Sequence, residues 1–212
     1  MFSHDLALEL TVKIEGEALI IPCGQIKNFD LSLFSYGFEA SVDFWLPMAE
    51  DLLFPFFTEK KLIEVIFIIK SYYNPPDVLP VPITVWGLVT DKSLEELFIE
   101  DLDEPLFFRH YHLCFADFAR VLWKQHFPCE LFVDKTIKDI FEAYKGAKLT
   151  LEYDCEMLDK THPILFLGLG DLKNKASFYD FVFWLLHYND CIFNHDSVLN
   201  KYKILKTKVD IG

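Results

Sequence analysis

Strict alternation of apolar and polar residues predicts that the first half of the chain consists of strands. In residues 6–14, Leu8, Leu10, Val12 and Ile14 fall on one face of an extended segment. The same two-residue period, interrupted by turn residues, continues to residue 115, and such a series of antiparallel strands is typical of a barrel or a sandwich. The predicted strands are residues 6–14, 18–21, 26–34, 38–46, 62–69, 83–90 and 107–115.

After residue 116 the apolar residues recur at helical spacing. The pattern predicts helices over residues 117–125, 136–145 and 178–189. Thr136 and Ser177 stand where N-caps belong, because each is followed three residues later by an aspartate that places a carboxylate in the first turn. Gly146 stands at the position of a C′ glycine.

A hairpin is predicted directly after the last helix. Asn189-Asp190 ends the helix, since both residues tolerate turn conformations. Residues 191–193 form a short strand and residues 198–205 return beside it. The resulting fold class is α+β, an antiparallel β-barrel-rich domain with a few short helices. Two domains are expected, a β-barrel over residues 1–116 and an α+β segment with the helix and hairpin over 117–212.

The most apolar run, Leu62 to Ile69, is apolar on both faces of a strand, which predicts cover on both faces or a partner. Leu62, Ile63, Val65 and Phe67 are therefore candidates for structural or interface residues, together with the aromatic segment Phe54–Phe57. Phe181 and Leu185 of the last helix and Phe193 of the hairpin are further candidates, expected mostly in the core.

Composition and charge exclude several classes of protein. The chain is 52% hydrophobic and 17% aromatic, which is incompatible with disorder and favours a large sheet content. A net charge of −13 argues against nucleic-acid binding, because little would neutralise phosphates, and it repels anionic membrane surfaces.

The five cysteines show no close pairing pattern, so free thiols in a reducing compartment are expected. The first ten residues lack the basic and apolar regions of a secretory signal. We therefore expect a protein made in the cytoplasm.

One set of residues has the composition of a metal site. His110, His112 and Cys114 alternate along one strand and so share a face, as three zinc ligands could. Neighbouring same-face side chains on a strand lie about 7 Å apart, too far for all three to reach one ion readily. We therefore predict no metal, no cofactor and no enzyme activity, and interpret the runs of Asp and Glu around residues 95–104 as a solvated loop.

Three segments together resemble a known family. They are Phe107-Phe108-Arg109-His110-Tyr111 leading into a helical turn, FPCELFVDKTIKDIFEAYKG over residues 127–146, and the helix and hairpin from Ser177 to Phe193. In this order they resemble the hub region of VgrG spike proteins of type VI secretion and of the contractile-phage baseplate hub. Asn189-Asp190 departs from the glycine that usually ends the helix.

The resemblance implies a structural hub of a contractile injection machine. Its expected partners are two further copies in a homotrimer, a tail tube protein of the Hcp type, and spike or effector proteins. The family normally continues beyond the point equivalent to Gly212, so a truncated or reduced hub is expected. A ligand-binding or adaptor β-barrel with an aromatic cavity is the alternative, and an enzyme is a third class that only scattered His and Cys residues would support.

Overall fold

A computed structural model describes residues 6–71, 81–100, 106–171, 173 and 175–206. These residues divide into two compact units. The first unit comprises residues 6–33 and Phe38–Asp117, and the second comprises Phe34–Gly37 and residues 118–206. The sequence analysis placed the boundary between residues 116 and 117.

The first unit is built on one seven-stranded sheet. Its elements are β1 (Leu6–Ile14), β2 (Glu17–Ile21), β3 (Ile26–Phe34), β4 (Gly37–Pro47), the short α-helix α1 (Phe54–Phe57), β5 (Ile63–Ser71), β6 (Ile83–Ile99) and β7 (Leu106–Asp117). The strand order is β2-β1-β5-β6-β7-β4-β3. The pairs β1–β2, β1–β5, β5–β6, β6–β7 and β4–β7 are all antiparallel.

The core of this unit follows from the period-2 pattern. Alternate residues of β1, β4, β5 and β7 point to one face and are buried. The predicted α+β class with few helices agrees with this architecture, but the predicted closed barrel does not. Among the described strands, the sheet ends at β2 and β3, and these two do not pair with each other.

Gly87 of β6 lies where the sheet permits no side chain. A Cβ at this position would meet the backbone oxygen of Ala116 at 2.5 Å and the ring of Phe38 at 2.9 Å. A glycine inside a strand marks either a bulge or a close approach of the backbone, and at Gly87 it is the close approach. The register shift lies further along, between Val89 and Asp91.

β6 continues through the acidic segment that the sequence analysis predicted to be a loop. It remains paired with β7 as far as Ile99, so the loop prediction is wrong for Glu95 to Ile99. Pairing with β7 satisfies the backbone of these residues, and alternation turns the carboxylates of Glu95 and Glu96 to opposite faces. Residues 72–80 and 101–105, the second of which belong to the predicted acidic loop, lie outside the described residues.

The second unit combines three α-helices with two small sheets. Its elements are α2 (Phe118–Lys124), β8 (Cys129–Thr136), α3 (Ile137–Tyr144), β9 (Leu151–Asp154), β10 (Thr161–Gly168), α4 (Phe178–Tyr188), β11 (Cys191–Asp196) and β12 (Lys201–Lys206). β8 and β10 form an antiparallel two-stranded ribbon. In the other sheet β12 is the central strand, antiparallel to β11 and parallel to β9. The three predicted helices and the hairpin are confirmed.

Capping boxes begin α3 and α4 as the sequence predicts. Ser177 Oγ accepts from the N–H of Asp180, and the Asp180 carboxylate accepts from the N–H of Ser177 at 2.8 Å. Thr136 and Asp139 make the same reciprocal pair. Gly146 follows α3 with φ +75°, a conformation that glycine adopts without penalty.

Aromatic rings make the core of the second unit. The ring of Phe178, at the start of α4, packs edge-on against Trp123 of α2, with centroids 5.4 Å apart. Phe193 of β11 stacks on Tyr202 of β12, whose hydroxyl accepts from the N–H of Ala119. In the described part of the chain, no helix has the length and hydropathy needed to cross a membrane.

Candidate functional site: a polar cluster and two exposed apolar surfaces

Polar side chains gather on the outward face of the first unit's sheet. His110, His112 and Cys114 alternate along β7, and Asp43 comes from the adjacent strand β4. The Asp43 carboxylate lies 2.7 Å from His112 Nδ1 and 3.3 Å from His110 Nε2, while His112 Nε2 lies 3.2 Å from Cys114 Sγ. With its proton on Nδ1, His112 donates to Asp43 and its Nε2 accepts from the thiol.

This order of thiol, imidazole and carboxylate resembles a nucleophile with its base, but its electrostatics oppose that role. Burial raises the pKa of the Cys114 thiol, and the carboxylates of Asp91 and Asp43 raise it further. Reactive cysteines need the opposite surroundings, which favour the thiolate. We therefore interpret the cluster as a hydrogen-bonded patch of the sheet.

The three side chains of β7 in this cluster do not converge as zinc ligands would. His110 turns to Asp43 and Glu95, so only His112 and Cys114 approach each other. Among the described residues, no group of three or more His, Cys, Asp and Glu side chains is arranged to hold a metal ion.

A buried carboxylate anchors the segment before α1. Asp51 Oδ1 accepts from the N–H groups of Leu53 and Phe54 at 3.0 and 3.1 Å. Its Oδ2 accepts from Arg109 Nη1 at 3.1 Å and from the Tyr111 hydroxyl at 2.5 Å. Burial, and then the Asp51 carboxylate, raise the pKa of Tyr111, so its hydroxyl remains a donor. Both carboxylate oxygens of Asp51 therefore accept hydrogen bonds that fix this segment to β7.

A cleft of about 370 Å³ lies next to this anchor in the first unit. Its walls are mostly apolar and come from β1, β2 and the segment that leads into α1. The lining residues include Val12, Ile14, Leu19, Leu53 and Phe56. Its volume lies within the range of small-molecule sites, roughly 300–1,000 Å³.

The structure places the sequence-predicted residues of β5 inside the first unit. Ile63, Val65 and Phe67 are buried in its core, where a partner cannot touch them. Leu62, just before β5, is exposed. Within the aromatic segment Phe54–Phe57, Phe57 is buried and Phe56 is partly exposed.

The candidates in α4 and β11 differ from one another in burial. Phe193 is buried in the second unit, but Phe181 and Leu185 are only half-buried. The face of α4 that is fully covered carries Phe178, Tyr179, Val182 and Leu186. The apolar stripe read from the sequence was too wide to show which of its edges faces the core.

The uncovered edge of α4 forms an aromatic strip, which we define as Phe181, Trp184 and Tyr188. The Trp184 ring lies 6.2 Å from that of Phe181 and stacks on Tyr188 at 5.8 Å. Trp184 is 60% exposed and Tyr188 75%. Phe181 and Trp184, with Leu169 and Ala176, line a cleft of about 430 Å³ in the second unit. Aromatic residues are those most often found as anchors in protein interfaces.

A second apolar surface covers the ribbon of β8 and β10. We define the ribbon face as Leu131 and Val133 of β8 with Ile164 and Phe166 of β10. Leu131 lies opposite Phe166 and Val133 opposite Ile164, so all four side chains point to one side. They are 57–70% exposed. Sequence reasoning missed this surface; the available signal was the alternation in residues 129–133 and 164–168.

The sequence matches no protein-family model, and no curated protein is similar to it. Comparison of structures does find similar chains. A chain of the lidless PdpA–VgrG complex superposes with a TM-score of 0.73 at 16% identity over 97% of this chain. A chain of the half-lidded Francisella PdpA–VgrG complex gives 0.71 at 18% identity, again over 97%.

A phage tail protein is also similar in structure. A 43 kDa tail protein of prophage MuSo2 from Shewanella oneidensis gives a TM-score of 0.50 at 10% identity, covering 93% of this chain and 52% of its own length. This chain spans 36% of the chain from the lidless complex and 32% of the chain from the half-lidded complex. The protein thus has a fold that also occurs in chains of PdpA–VgrG complexes and in a phage tail protein.

Proposed function

We propose that this chain is a structural hub component at the base of the spike of a contractile injection machine. The observation that carries the proposal is the match of 97% of the chain to the fold of a chain in a PdpA–VgrG complex. The two exposed apolar surfaces of the second unit support a role in assembly, because monomeric proteins rarely leave such patches uncovered. The polar cluster, with its protonated thiol, gives no support to an enzyme.

In the proposed machine the hub is a homotrimer assembled in the cytoplasm. It docks on a tail tube protein of the Hcp type and carries a VgrG-like spike or an effector. A net charge of −13 opposes the approach of copies to each other, so screening by salt strengthens their association.

Co-purification tests the proposal directly. A tagged version of this chain is expressed in its native organism together with the machine's tube and spike proteins, and the complex is isolated and imaged by electron microscopy. We expect the tube and spike proteins to co-purify and the chain to lie where they meet. Recovery of the chain without either protein, from cells that contain assembled machines, would contradict the hub role.

The cleft of the first unit favours one second candidate, a ligand-binding module. Its apolar walls and its volume of about 370 Å³ suit a small uncharged apolar molecule. Native mass spectrometry of the purified protein tests this alternative. A bound mass that is lost when Leu19→Trp fills the cleft would support it, and an unliganded protein from every source would argue against it.

A further inference from the structure

We propose that the ribbon face binds a second copy of this chain. The inference deepens the proposed function, since a hub of several copies needs a surface on which they meet. Leu131, Val133, Ile164 and Phe166 are exposed as two adjacent cross-strand pairs rather than as scattered residues. Isolated surface apolar residues need no explanation, whereas a contiguous group marks an interaction site.

The ribbon itself needs cover on this side. A two-stranded sheet is only marginally stable alone in water. The inner side of the ribbon is covered, because Leu167 is buried and the Phe132 ring packs edge-on against Tyr144 of α3. Its outer side has no such neighbour among the described residues, and its four large side chains are left to water.

The ribbon face ends at Gly168, the last residue of β10. A Cβ at Gly168 would lie 2.7 Å from the Phe166 ring, so the ring folds down over the glycine. Beside it, Leu169 leads into the cleft that it lines with Phe181 and Trp184. The chain therefore passes from the end of the ribbon directly to the cleft beside the aromatic strip.

The area of the ribbon face suits a contact between two copies. Four large apolar side chains, each more than half exposed, present roughly 400–500 Å². Two copies that meet through this face bury roughly twice that area, which corresponds to a small, weak interface. A small ligand would leave most of the ribbon face in water.

Charge favours a second copy as the occupant. The outward positions of the ribbon are Cys129, Leu131, Val133 and Lys135 of β8 and His162, Ile164, Phe166 and Gly168 of β10, so they include one lysine and no carboxylate. The chain as a whole carries −13, so two copies repel each other wherever their acidic surfaces meet. The ribbon face is a place where they can touch without bringing carboxylates together, and Lys135 at its end would repel a basic partner.

Sedimentation over a range of protein concentrations tests this surface with one substitution. Ile164→Lys places a charge in the centre of the ribbon face. The matched control is Ile20→Lys on β2, because Ile20 is 71% exposed and Ile164 70%. We expect Ile164→Lys to weaken self-association by at least about tenfold, since a lysine buried without a partner is strongly unfavourable. Ile20→Lys should leave association unchanged, and circular dichroism verifies that both variants fold.

Two native thiols give an independent measurement on the unmodified protein. Cys129 lies on the outward side of the ribbon and Cys23 lies in the first unit, and both are exposed. Self-association should protect Cys129 from alkylation by N-ethylmaleimide as concentration rises, while Cys23 continues to react. Protection of Cys129 should disappear in Ile164→Lys.

The outcomes separate this inference from the proposed function. If the natural sequence associates but Ile164→Lys associates equally well and Cys129 stays reactive, the copies meet elsewhere and the ribbon face is excluded. If the chain is a monomer at every concentration and at high salt, self-association through the ribbon is overturned. In both cases the co-purification of tube and spike proteins judges the hub role separately.

Discussion

β5 of the first unit and the ribbon of the second unit have the same kind of sequence and opposite surroundings. Each alternates large apolar side chains along one face. β5 lies inside a seven-stranded sheet, paired on both edges, and its Ile63, Val65 and Phe67 are buried. The ribbon has only two strands, and its outward side chains are exposed. An alternating apolar pattern therefore predicts a strand with one apolar face, but the tertiary structure decides whether that face is core or interaction surface.

The largest expected effect contrasts two phenylalanines. Phe67→Ala removes a fully buried ring that packs edge-on against Phe29, so the free energy of unfolding should fall by about 3–5 kcal/mol. Phe166→Ala removes an exposed ring and should change it by less than about 1 kcal/mol. Urea unfolding followed by circular dichroism, at concentrations too low for self-association, measures both. Similar losses in the two variants would contradict the contrast.

A second comparison tests the two sides of α4. Leu186→Ala truncates a buried side chain and should destabilise the second unit by about 2–5 kcal/mol. Leu185→Ala changes a neighbour of the same size that is half-buried, and its loss should be clearly smaller. Thermal unfolding of the two variants ranks them. A larger loss at Leu185 would mean that the half-buried side of α4 carries more of the packing than the face with Leu186.

Substitution of two glycines compares how tightly the backbone is packed in the central sheet and in the ribbon. Gly87→Ala forces a Cβ against a backbone oxygen of the central sheet and should cost about 1–3 kcal/mol. Gly168→Ala meets only the exposed Phe166 ring, which can rotate away, so its cost should be smaller. Urea unfolding distinguishes the two positions. Equal costs would show that the ribbon is as tightly packed as the central sheet.

The smallest expected effect concerns the cap of α4 and its dependence on pH. Burial alone would raise the pKa of Asp180, but hydrogen bonds from the N–H and hydroxyl of Ser177 outweigh it and hold the pKa below its usual value. A carboxylate with a lowered folded pKa stabilises the fold above its unfolded pKa, about 3.9, and this contribution is lost as pH falls through the folded value. Asp180→Asn should flatten this acid dependence in unfolding measured between pH 2 and 6, values chosen to bracket that pKa.

Ser177→Ala removes the other half of the same capping box. It should cost about 1 kcal/mol near neutral pH, the usual effect of losing an N-cap side chain. Thr136→Ala is the matched control in α3, which begins with the same pair of residue types. Thermal unfolding near neutral pH measures both, and no loss in either variant would mean that the boxes are dispensable.

Much of the secondary structure could be predicted from the sequence, because it depends on interactions between residues that are close together in the chain. The three helices after residue 116 were predicted because their caps and apolar spacing lie within single segments, as Thr136 with Asp139 and Ser177 with Asp180 show. Most strands of the first unit were predicted for the same reason. The extension of β6 through Glu95 was not, because its acidic residues suggest a loop until β7 supplies the pairing.

The candidate surfaces depended on contacts between distant segments. Residues 131 and 133 are apolar and alternate, as are 164 and 166, but only their pairing across about thirty residues of sequence places four side chains on one face. The same holds for Phe67, whose burial depends on β1 and β6 lying on either side of β5. The sequence by itself determined most of the segments that are helix or strand, because side-chain periodicity and helix capping act over a few residues. Only the tertiary structure decided which apolar faces are covered, because burial depends on what other segments bring against them.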